Sequence, residues 1–582
     1  MSSSIGASML ATVKLELTDE MAALGDLRAY AEVPNAAGAE AVEVIQTHIS
    51  VVFLVGDAVF KIKKPLCLPF VDYSTLELRR HFCHVEVELN RRLASDVYRG
   101  VVVIRRAADG HLYVDGDYDD RGPSDDHARA DGAETKDERR DEVVDYAVEM
   151  RRLDEARTLG AWLARGELRP GTMAAIGRRL TEFHRHAARG PDVDARACFD
   201  AVATNCRDNY TQTAALHLDA IPEALLERLA TLTERELRRQ ATTIASRAEQ
   251  GLACDCHGDL RLDHVYLFPE REPPVDLEII DCVEFNDAFR YSDPIADLAF
   301  LVMDLRYHGF TAEADELTSA YFDAADDHGG AALLPLYTAY RASVRGKVEA
   351  FRMSEPEVPA ASREEARRAS LRHLLLALRE LSAPGLGPSL ILLAGLPGSG
   401  KSTLAAALGE TLGETQGETG GEADPPLIIR SDVVRKRLAG LSPETSSKAA
   451  FGEGIYTPAM TERTYGACLE MARAALCEGR TVLVDANFRG NRQRRLFVAL
   501  AQELGVPLCL LICEASEEES LARIRARSGD ASDADASIYL SARQAWEAPS
   551  AELAAVAKTI DSSGSPRATL AAAQAALRSC DS

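Results

Sequence analysis

The sequence lacks long apolar runs and a secretion signal. No apolar run reaches the roughly 18 residues that a membrane-spanning helix needs. The opening residues, MSSSIGASMLATVKLELTDEM, have no basic stretch followed by a long apolar segment, which is the pattern of a secretory signal. Both absences predict a cytoplasmic protein without a membrane partner.

The sequence also lacks the cysteine spacing that is typical of metal-binding motifs. The chain has 12 cysteines but no Cys-x-x-Cys pair, so neither a disulfide framework nor a zinc site is predicted. Cys254, Cys256 and Cys282 fall beside segments with candidate catalytic residues, yet their spacing matches no ligand set. Simple packing of small apolar side chains is the preferred interpretation.

Positive charge is scarce relative to negative charge. The 66 Lys and Arg residues face 91 Asp and Glu residues, which gives a formal charge of −25. Such a surface repels phosphate backbones and anionic lipids, so a nucleic-acid partner is not expected. The composition, 46% hydrophobic and 27% charged, is that of a globular protein, and a length of 582 residues predicts at least two domains.

The clearest motif is SLILLAGLPGSGKSTLAAAL, in which an apolar strand leads into G-x-x-x-x-G-K-S and then into a helix. Its glycines let backbone N–H groups curl around phosphates, and the helix N-terminus favours an anion. Lys401 can reach the β- and γ-phosphates of ATP, and Ser402 is placed to hold Mg²⁺. The predicted nucleotide-binding residues are Gly395, Leu396, Pro397, Gly398, Ser399, Gly400, Lys401, Ser402 and Thr403.

Two further segments in this half follow apolar strands: IIRSDVVRKRLAG and TVLVDANFRG. With the P-loop they resemble the small-substrate P-loop kinases, the group of gluconate kinase, polynucleotide kinase and zeta toxin, over about residues 388–575. The resemblance implies that Asp432 is the base for the attacking hydroxyl and that Arg435 helps to hold substrate. Asp485 would support Mg²⁺ from the Walker B position, or it would contact substrate.

A helix near the end of this half carries Arg523, Arg525 and Arg527 before a Ser/Asp/Ala-rich loop, an arrangement that resembles a lid. Arginines there can stabilise the charge that spreads over a transferred phosphoryl group. Arg523 and Arg527 share a helix face and are the preferred catalytic candidates. The alternative is a solvated helix face.

The N-terminal half opens with a polar stretch, residues 1–25, that predicts a flexible arm. THISVVFLVGDAVFKIKKP predicts a hairpin around Gly56-Asp57, and the text after it predicts an amphipathic helix. GVVVIRR and VVDYAVEMRRL predict two strands, and an acidic stretch over about residues 108–142 predicts a disordered insertion between them. Residues 171–250 predict a helical lobe.

Two aspartates stand in consecutive short strand patterns, HGDLRLDH from His257 and IIDCVEF from Ile279. Phosphoryl transfer needs such a pair, one to orient the acceptor hydroxyl and one to bind Mg²⁺. With the upstream lysines and a Glu-bearing helix, these segments resemble the aminoglycoside phosphotransferase family over about residues 30–345. That family has a protein-kinase-like fold. The resemblance implies that Asp259 is the catalytic base and that Asp281 binds Mg²⁺.

The same resemblance implies an ATP-binding lysine, Lys61, paired with Glu86. Lys63 and Glu88 stay open as alternatives, since Lys61 and Lys63 point to the same face of a strand.

A hinge of three residues and one ligand position complete the implied site. Glu149, Met150 and Arg151 would form the hinge whose backbone receives adenine. The family has Asn five residues after the HGD aspartate, and this chain has His264 there. His264 would be an unusual Mg²⁺ ligand, because Mg²⁺ prefers oxygen, and this departure questions the activity of the N-terminal half.

The predicted fold is mixed α/β and α+β. Residues 26–345 would form a two-lobed, protein-kinase-like domain, 346–387 a helical linker, and 388–575 a P-loop domain with a parallel sheet flanked by helices. This order resembles bacterial bifunctional aminoglycoside phosphotransferase-like and P-loop ATP-binding proteins.

That resemblance implies an ATP- and Mg²⁺-dependent kinase that moves the γ-phosphoryl group to a hydroxyl of a small molecule. Two alternatives stay open. The first is an ATP-binding regulatory or toxin-like protein whose N-terminal half only senses a ligand. The second is a polynucleotide 5′-kinase, which the net charge disfavours.

Overall fold

The chain forms two compact units, one made of residues 1–208 and 240–337 and the other of residues 209–239 and 338–582. The computed structural model describes residues 18–36, 38–68, 70–119, 141–216, 220–354, 358–383, 386–418, 425–442, 445, 454–526 and 535–580. No helix within these ranges is long and apolar enough to cross a membrane.

The first unit begins with a sheet and continues as helices with short strand pairs. Its strands are β1 (Val42–Gln46), β2 (Ser50–Val55), β3 (Ala58–Lys63), β4 (Cys67–Leu68), β5 (Val71–Asp72), β6 (Tyr98–Arg106), β7 (Leu112–Tyr118), β8 (Glu142–Arg151), β9 (Cys254–Asp255), β10 (Val265–Leu267), β11 (Leu277–Ile279) and β12 (Tyr291–Ser292). An antiparallel six-stranded sheet has the order β1-β2-β3-β8-β6-β7, and β10–β11 and β9–β12 form separate pairs.

This unit contains the helices α1 (Asp19–Ala23), α2 (Leu76–Arg91), α3 (Leu159–Arg165), α4 (Thr172–His186), α5 (Pro191–Ala197), α8 (Pro294–Tyr307) and α9 (Thr311–Ala325). Further helices pass from one unit into the other: α6 (Phe199–Ala214), α7 (Glu223–Glu249) and α10 (Leu334–Ser354). A sheet lobe followed by a helical lobe is the predicted kinase-like architecture.

The hairpin predicted around Gly56-Asp57 is confirmed as β2–β3. Gly56 has a φ of +59°, a turn conformation that glycine adopts without strain. Alternate residues of both strands point into one core, where Phe53 and Phe60 are completely buried.

The N-terminal residues also contribute to this core. The ring of Tyr30 lies 5.0 Å from that of Phe60, and Met21 and Leu24 are buried beside them. The predicted arm is therefore wrong for residues 18–25, because Met21 and Leu24 pack into this core, and residues 1–17 lie outside the described part. The predicted insertion is likewise wrong at β7, whose Leu112 and Val114 complete the core. Residues 120–140 of that insertion are not described.

The second unit contains a parallel sheet flanked by helices. Its strands are β13 (Leu390–Ala394), β14 (Leu427–Arg430), β15 (Val482–Asp485), β16 (Leu508–Glu514) and β17 (Ala557–Asp561), in the order β14-β15-β13-β16-β17. Its further helices are α11 (Ala360–Leu381), α12 (Lys401–Glu418), α13 (Ser431–Leu438), α14 (Pro458–Cys477), α15 (Asn491–Leu504), α16 (Glu517–Ala526), α17 (Ala536–Gln544), α18 (Ala551–Ala554) and α19 (Pro566–Cys580).

Every residue of β13 is buried, as in a strand covered on both faces. All five strands run parallel, so their carboxyl ends meet at one edge of the sheet. This edge carries the P-loop after β13, Asp485 at the end of the neighbouring strand β15, and Asp432 just after β14.

The predicted linker, residues 346–387, is helical, but α11 is part of the second unit. Leu374 and Leu378 are each 1% exposed. A Cβ on Gly479, in the turn after α14, would lie only 2.3 Å from Leu378 Cδ2. The helix therefore covers the P-loop unit instead of joining two domains.

Candidate active sites

The P-loop runs from the end of β13 to the start of α12. Ser402 Oγ donates a 2.6 Å hydrogen bond to Asp485 Oδ2 at the end of β15. Lys401 Nζ donates to the carbonyl of Leu396 at 2.9 Å, which folds its ammonium over the loop. The loop has no room for a side chain at Gly398, where a Cβ would lie 2.4 Å from the carbonyl of Ser520.

These residues fit a phosphate and a divalent cation. Ser399 is 2% exposed, and its hydroxyl has no hydrogen-bond partner among the described residues. A buried, unpaired donor inside a glycine-rich loop suits an oxygen-rich anion. A serine hydroxyl beside a carboxylate suits Mg²⁺, a cation that prefers oxygen ligands.

The S-D-x-x-R segment lies beside this pair. β14 and β15 are neighbours, with Arg430 opposite Asp485 in the register, and Arg430 Nε lies 3.6 Å from Asp485 Oδ2. Asp432 follows in the first turn of α13, where the helix N-terminus favours a carboxylate. The structure thus brings Asp432 and Asp485 to adjacent strand ends, as predicted from the two apolar strands.

Arg435 is held by its own unit. Its guanidinium donates to the carbonyl of Ile455 at 3.1 Å and to Thr461 Oγ1 at 3.2 Å, and it lies 5.2 Å from the ring centre of Tyr456. The side chain is 8% exposed, so only a small part of it can face a substrate.

The arginines of the predicted lid differ in position. Arg523 donates to the carbonyl of Ser562 at 2.8 Å, and its NH1 lies 3.7 Å from the place of a Cβ on Gly400 in the P-loop. Arg525 is exposed. Arg527 lies outside the described residues. Of the three, Arg523 is therefore the one that the structure places beside the P-loop.

The two lysines of β3 have different surroundings in the first unit. Lys61 Nζ lies 2.8 Å from Glu86 Oε1 and 2.9 Å from Asp281 Oδ1. Lys63 is fully buried and contacts Glu86 Oε2 at 2.8 Å and also Glu284. Lys61 therefore lies at the aspartate that was predicted to bind metal. Glu86 is the partner on α2, because Glu88 is exposed.

These contacts shift the pKa values of the groups involved. The Lys61 ammonium holds the pKa of Asp281 well below its usual range, and this outweighs partial burial. Burial would lower the pKa of Lys61, but the Asp281 and Glu86 carboxylates raise it well above its ordinary value. Both groups are charged at neutral pH, so an arriving cation must compete with Lys61 for Asp281.

His264 contacts the segment that carries the second aspartate, Asp259. Its Nδ1 contacts the carbonyl of Asp259 at 2.8 Å, and its Nε2 lies 3.7 Å from Asp281 Oδ2. Arg261 NH2 lies 3.1 Å from the same Nε2, and Arg261 Nε lies 3.6 Å from Asp259 Oδ2. In this arrangement Nδ1–H donates to the carbonyl and Nε2 accepts from Arg261. His264 therefore fixes the backbone at Asp259 and lies near Asp281, while its second nitrogen accepts from Arg261.

Asp297 is a functional candidate that the sequence interpretation missed. Its carboxylate accepts hydrogen bonds from the backbone N–H groups of His257 and Gly258, at 3.0 and 2.9 Å, which fixes the loop that carries Asp259. It also lies 3.0 Å from His184 Nε2. A sequence signal existed, because Asp297 is the one carboxylate in the apolar run PIADLAFLVM.

The same region holds the buried thiols. Cys254 and Cys256 have their sulfurs 3.6 Å apart. His184, Cys256 and Asp297 bring ligand-type atoms within 4.8 Å of one another. Because His184 already contacts Asp297 and the Tyr321 hydroxyl at 2.9 Å, these side chains form a closed hydrogen-bonded cluster. Packing remains the preferred interpretation of the thiols.

The predicted hinge residues lie inside the sheet. Glu149 and Met150 pair with β3 on one side and β6 on the other. The carboxylate of Glu149 is buried and accepts from Asn35 and Arg99 at 2.7 and 3.0 Å. The Glu149 side chain is thus occupied within the unit.

Comparisons with known proteins cover both units. A family model described as an AAA domain matches residues 390–549. A gluconokinase from Sinorhizobium meliloti is 18% identical, over 33% of this chain and 91% of its own, with a TM-score of 0.24. A choline/ethanolamine kinase family protein from Mesorhizobium loti is 15% identical, over 60% of this chain and 96% of its own, with a TM-score of 0.32.

The predicted combination of a kinase-like half with a P-loop half is confirmed by the two observed sheets and by the matched domain. Among curated proteins, the uncharacterized protein Rv2004c of Mycobacterium tuberculosis is 31% identical over 510 residues, which are 87% of this chain and 91% of that protein. At this identity and coverage, the chain belongs to the same protein family as Rv2004c.

Proposed function

We propose that this protein is an ATP-dependent kinase of a small molecule, with the P-loop unit as the site of phosphoryl transfer to a hydroxyl group. The observation that carries the proposal is the contact between Ser402 Oγ and Asp485 Oδ2, 2.6 Å, at the sheet edge where Asp432 follows the neighbouring strand. A phosphate loop, a cation-binding pair and a candidate base are the parts that such a reaction requires.

Each residue would have a defined task. Asp432 accepts the proton of the acceptor hydroxyl while the oxygen of that hydroxyl forms a bond to the γ-phosphorus. The bond from this phosphorus to the β-phosphate oxygen breaks, which releases ADP. Lys401 leaves the Leu396 carbonyl to bind the β- and γ-phosphates. Arg523 faces the loop and stabilises the negative charge in the transition state. Mg²⁺, held by Ser402 and Asp485, would neutralise phosphate charge.

The first unit would hold a second ATP site. Lys61, paired with Glu86, would bind ATP phosphates, and Asp281 would hold Mg²⁺. Asp259, fixed by the loop contacts of Asp297, would be the base for a hydroxyl acceptor. His264 would fix the backbone at Asp259 through Nδ1 while Nε2 accepts from Arg261, a role that its observed contacts support better than direct binding of Mg²⁺.

ATP consumption with Mg²⁺ tests the assignment of the two units. The panel of acceptors would contain sugars, sugar acids, amino alcohols, aminoglycosides and nucleosides, and the variants would be Lys401→Ala, Asp259→Asn and both together. We expect acceptor-stimulated turnover to fall at least a hundredfold in Lys401→Ala and to persist in Asp259→Asn. Loss only in Asp259→Asn would move the reaction to the first unit. Absence of acceptor-stimulated turnover in the unmodified protein would contradict the proposed kinase activity.

A further inference from the structure

A second lysine on β3 belongs to a buried network that the proposed reaction does not use. Lys63 is completely buried, and its ammonium contacts carboxylates from two other elements, Glu86 on α2 and Glu284 in the loop after β11. Tyr73 Oη donates to Glu284 Oε1 at 2.8 Å and lies 3.4 Å from Lys63 Nζ. Each charged group of this cluster thus lies beside a group of opposite charge within the unit.

The carboxylate of Glu86 is shared between the two lysines. Its Oε1 lies 2.8 Å from Lys61 and its Oε2 lies 2.8 Å from Lys63. Each lysine then has one further carboxylate of its own, Asp281 for Lys61 and Glu284 for Lys63. A carboxylate fixed at both oxygens cannot rotate without breaking one of two buried ion pairs, so its position is strongly determined.

Glu284 also ties the metal-binding loop to this network. It lies three residues after Asp281, so a contact that fixes Glu284 restricts the backbone that carries Asp281. Burial would raise the pKa of Glu284, but the Lys63 ammonium lowers it below its ordinary value. The pair is therefore ionised at neutral pH and binds β3, α2 and the loop together.

We propose that Lys63 and Glu284 are positioning residues that hold Glu86, and with it α2, where Lys61 can bind nucleotide phosphate. The inference rests on the proposed ATP site of the first unit. Its consequence is that α2 is held in place before nucleotide arrives. The network works by charge. Without Glu284, Glu86 is the one carboxylate among the described residues that Lys63 still contacts, and Lys63 then competes with Lys61 for it.

The test uses the full chain with Lys401→Ala, so that only the first unit's site is measured. Calorimetry would follow the binding of a non-hydrolysable ATP analogue with Mg²⁺ to Glu284→Gln, and to Glu88→Gln as an exposed control on the same helix. We expect Glu284→Gln to weaken binding about tenfold and Glu88→Gln to leave it within twofold. The double variant Lys63→Met/Glu284→Gln removes both charges and controls for a buried, uncompensated lysine.

A merely structural role would give another pattern. If Glu284→Gln lowers the unfolding temperature but leaves affinity for the analogue within twofold, the positioning role is wrong.

Hydrogen exchange of α2 provides a readout that needs no nucleotide. We expect faster exchange over residues 76–91 in Glu284→Gln and no change in Glu88→Gln. If the chain carrying only Lys401→Ala binds no analogue, the proposed site of the first unit fails. Unchanged exchange of α2 in Glu284→Gln would then overturn the positioning role as well, whereas faster exchange would support it.

Discussion

Asp281 shows how a single residue combines a backbone and an electrostatic requirement. Its φ of +66° places it in the left-handed region, which aspartate tolerates better than most residues. Its backbone N–H donates to Tyr98 Oη at 3.2 Å, and Lys61 binds its carboxylate. Backbone conformations of this kind concentrate at functional sites, where surrounding contacts hold them in place.

Glu278 on β11 should make stability depend on pH. It is 1% exposed, and its Oε1 has no hydrogen-bond partner within the described ranges. Burial, with a smaller contribution from Asp96, raises the pKa of Glu278 to about 7. The folded state holds this proton more tightly than the unfolded chain. The contribution of the protonated Glu278 carboxyl group to the free energy of unfolding is therefore complete below about pH 4 and is lost as pH rises towards 7.

We therefore expect Glu278→Gln to remove this loss and to raise the unfolding free energy at about pH 8 by on the order of 1–3 kcal/mol. Thermal unfolding between about pH 5 and pH 8 would measure the effect. Glu272→Gln, a change at an exposed site nearby, is the control. Equal pH dependence in the protein with and without Glu278→Gln would contradict the prediction.

At the scale of the element, helix α16 carries two arginines whose surroundings differ. Arg523 contacts the Ser562 carbonyl and lies beside the P-loop, whereas Arg525 is exposed on the same helix. A cation next to the transferring group stabilises the transition state, but an exposed cation is screened by water.

We expect Arg523→Ala to lower kcat of the P-loop reaction about a hundredfold and Arg525→Ala to change it less than twofold. Steady-state kinetics with saturating ATP and acceptor would measure both. Similar losses in the two variants would show that the helix acts through its general charge.

At the scale of the whole molecule, the units are not consecutive stretches of chain, because residues 209–239 belong with 338–582. Helix α11 is the clearest case, with its leucines buried inside the second unit. We expect Leu378→Ala to destabilise this unit by about 2–5 kcal/mol, as large-to-small changes in a core do. The temperature at which Lys401-dependent nucleotide binding is lost should fall accordingly.

Arg368→Ala, at a side chain that is 56% exposed on the same helix, is the control for this experiment. A joining segment would tolerate both changes equally. An unchanged inactivation temperature in Leu378→Ala would therefore support the linker that the sequence predicted.

Local patterns in the sequence determined the strands, the hairpin, the P-loop and the pair of aspartates. They could do so because turn chemistry, strand alternation and helix periodicity act over a few neighbouring residues. The P-loop from Gly395 to Ser402 could be read in full, since its backbone geometry is encoded by its own glycines.

Contacts between distant residues were decided only by the tertiary structure. Lys61 and Lys63 have the same strand face and chemistry, and only the loop containing Asp281 and Glu284 distinguishes them; Lys63 and Glu284 are 221 residues apart in the chain. The burial of Met21 and Leu24 and of the leucines of α11 likewise depends on surfaces that other segments supply. Sequence periodicity shows that a residue is apolar or charged, but the partner that covers or neutralises it is set by the packed fold.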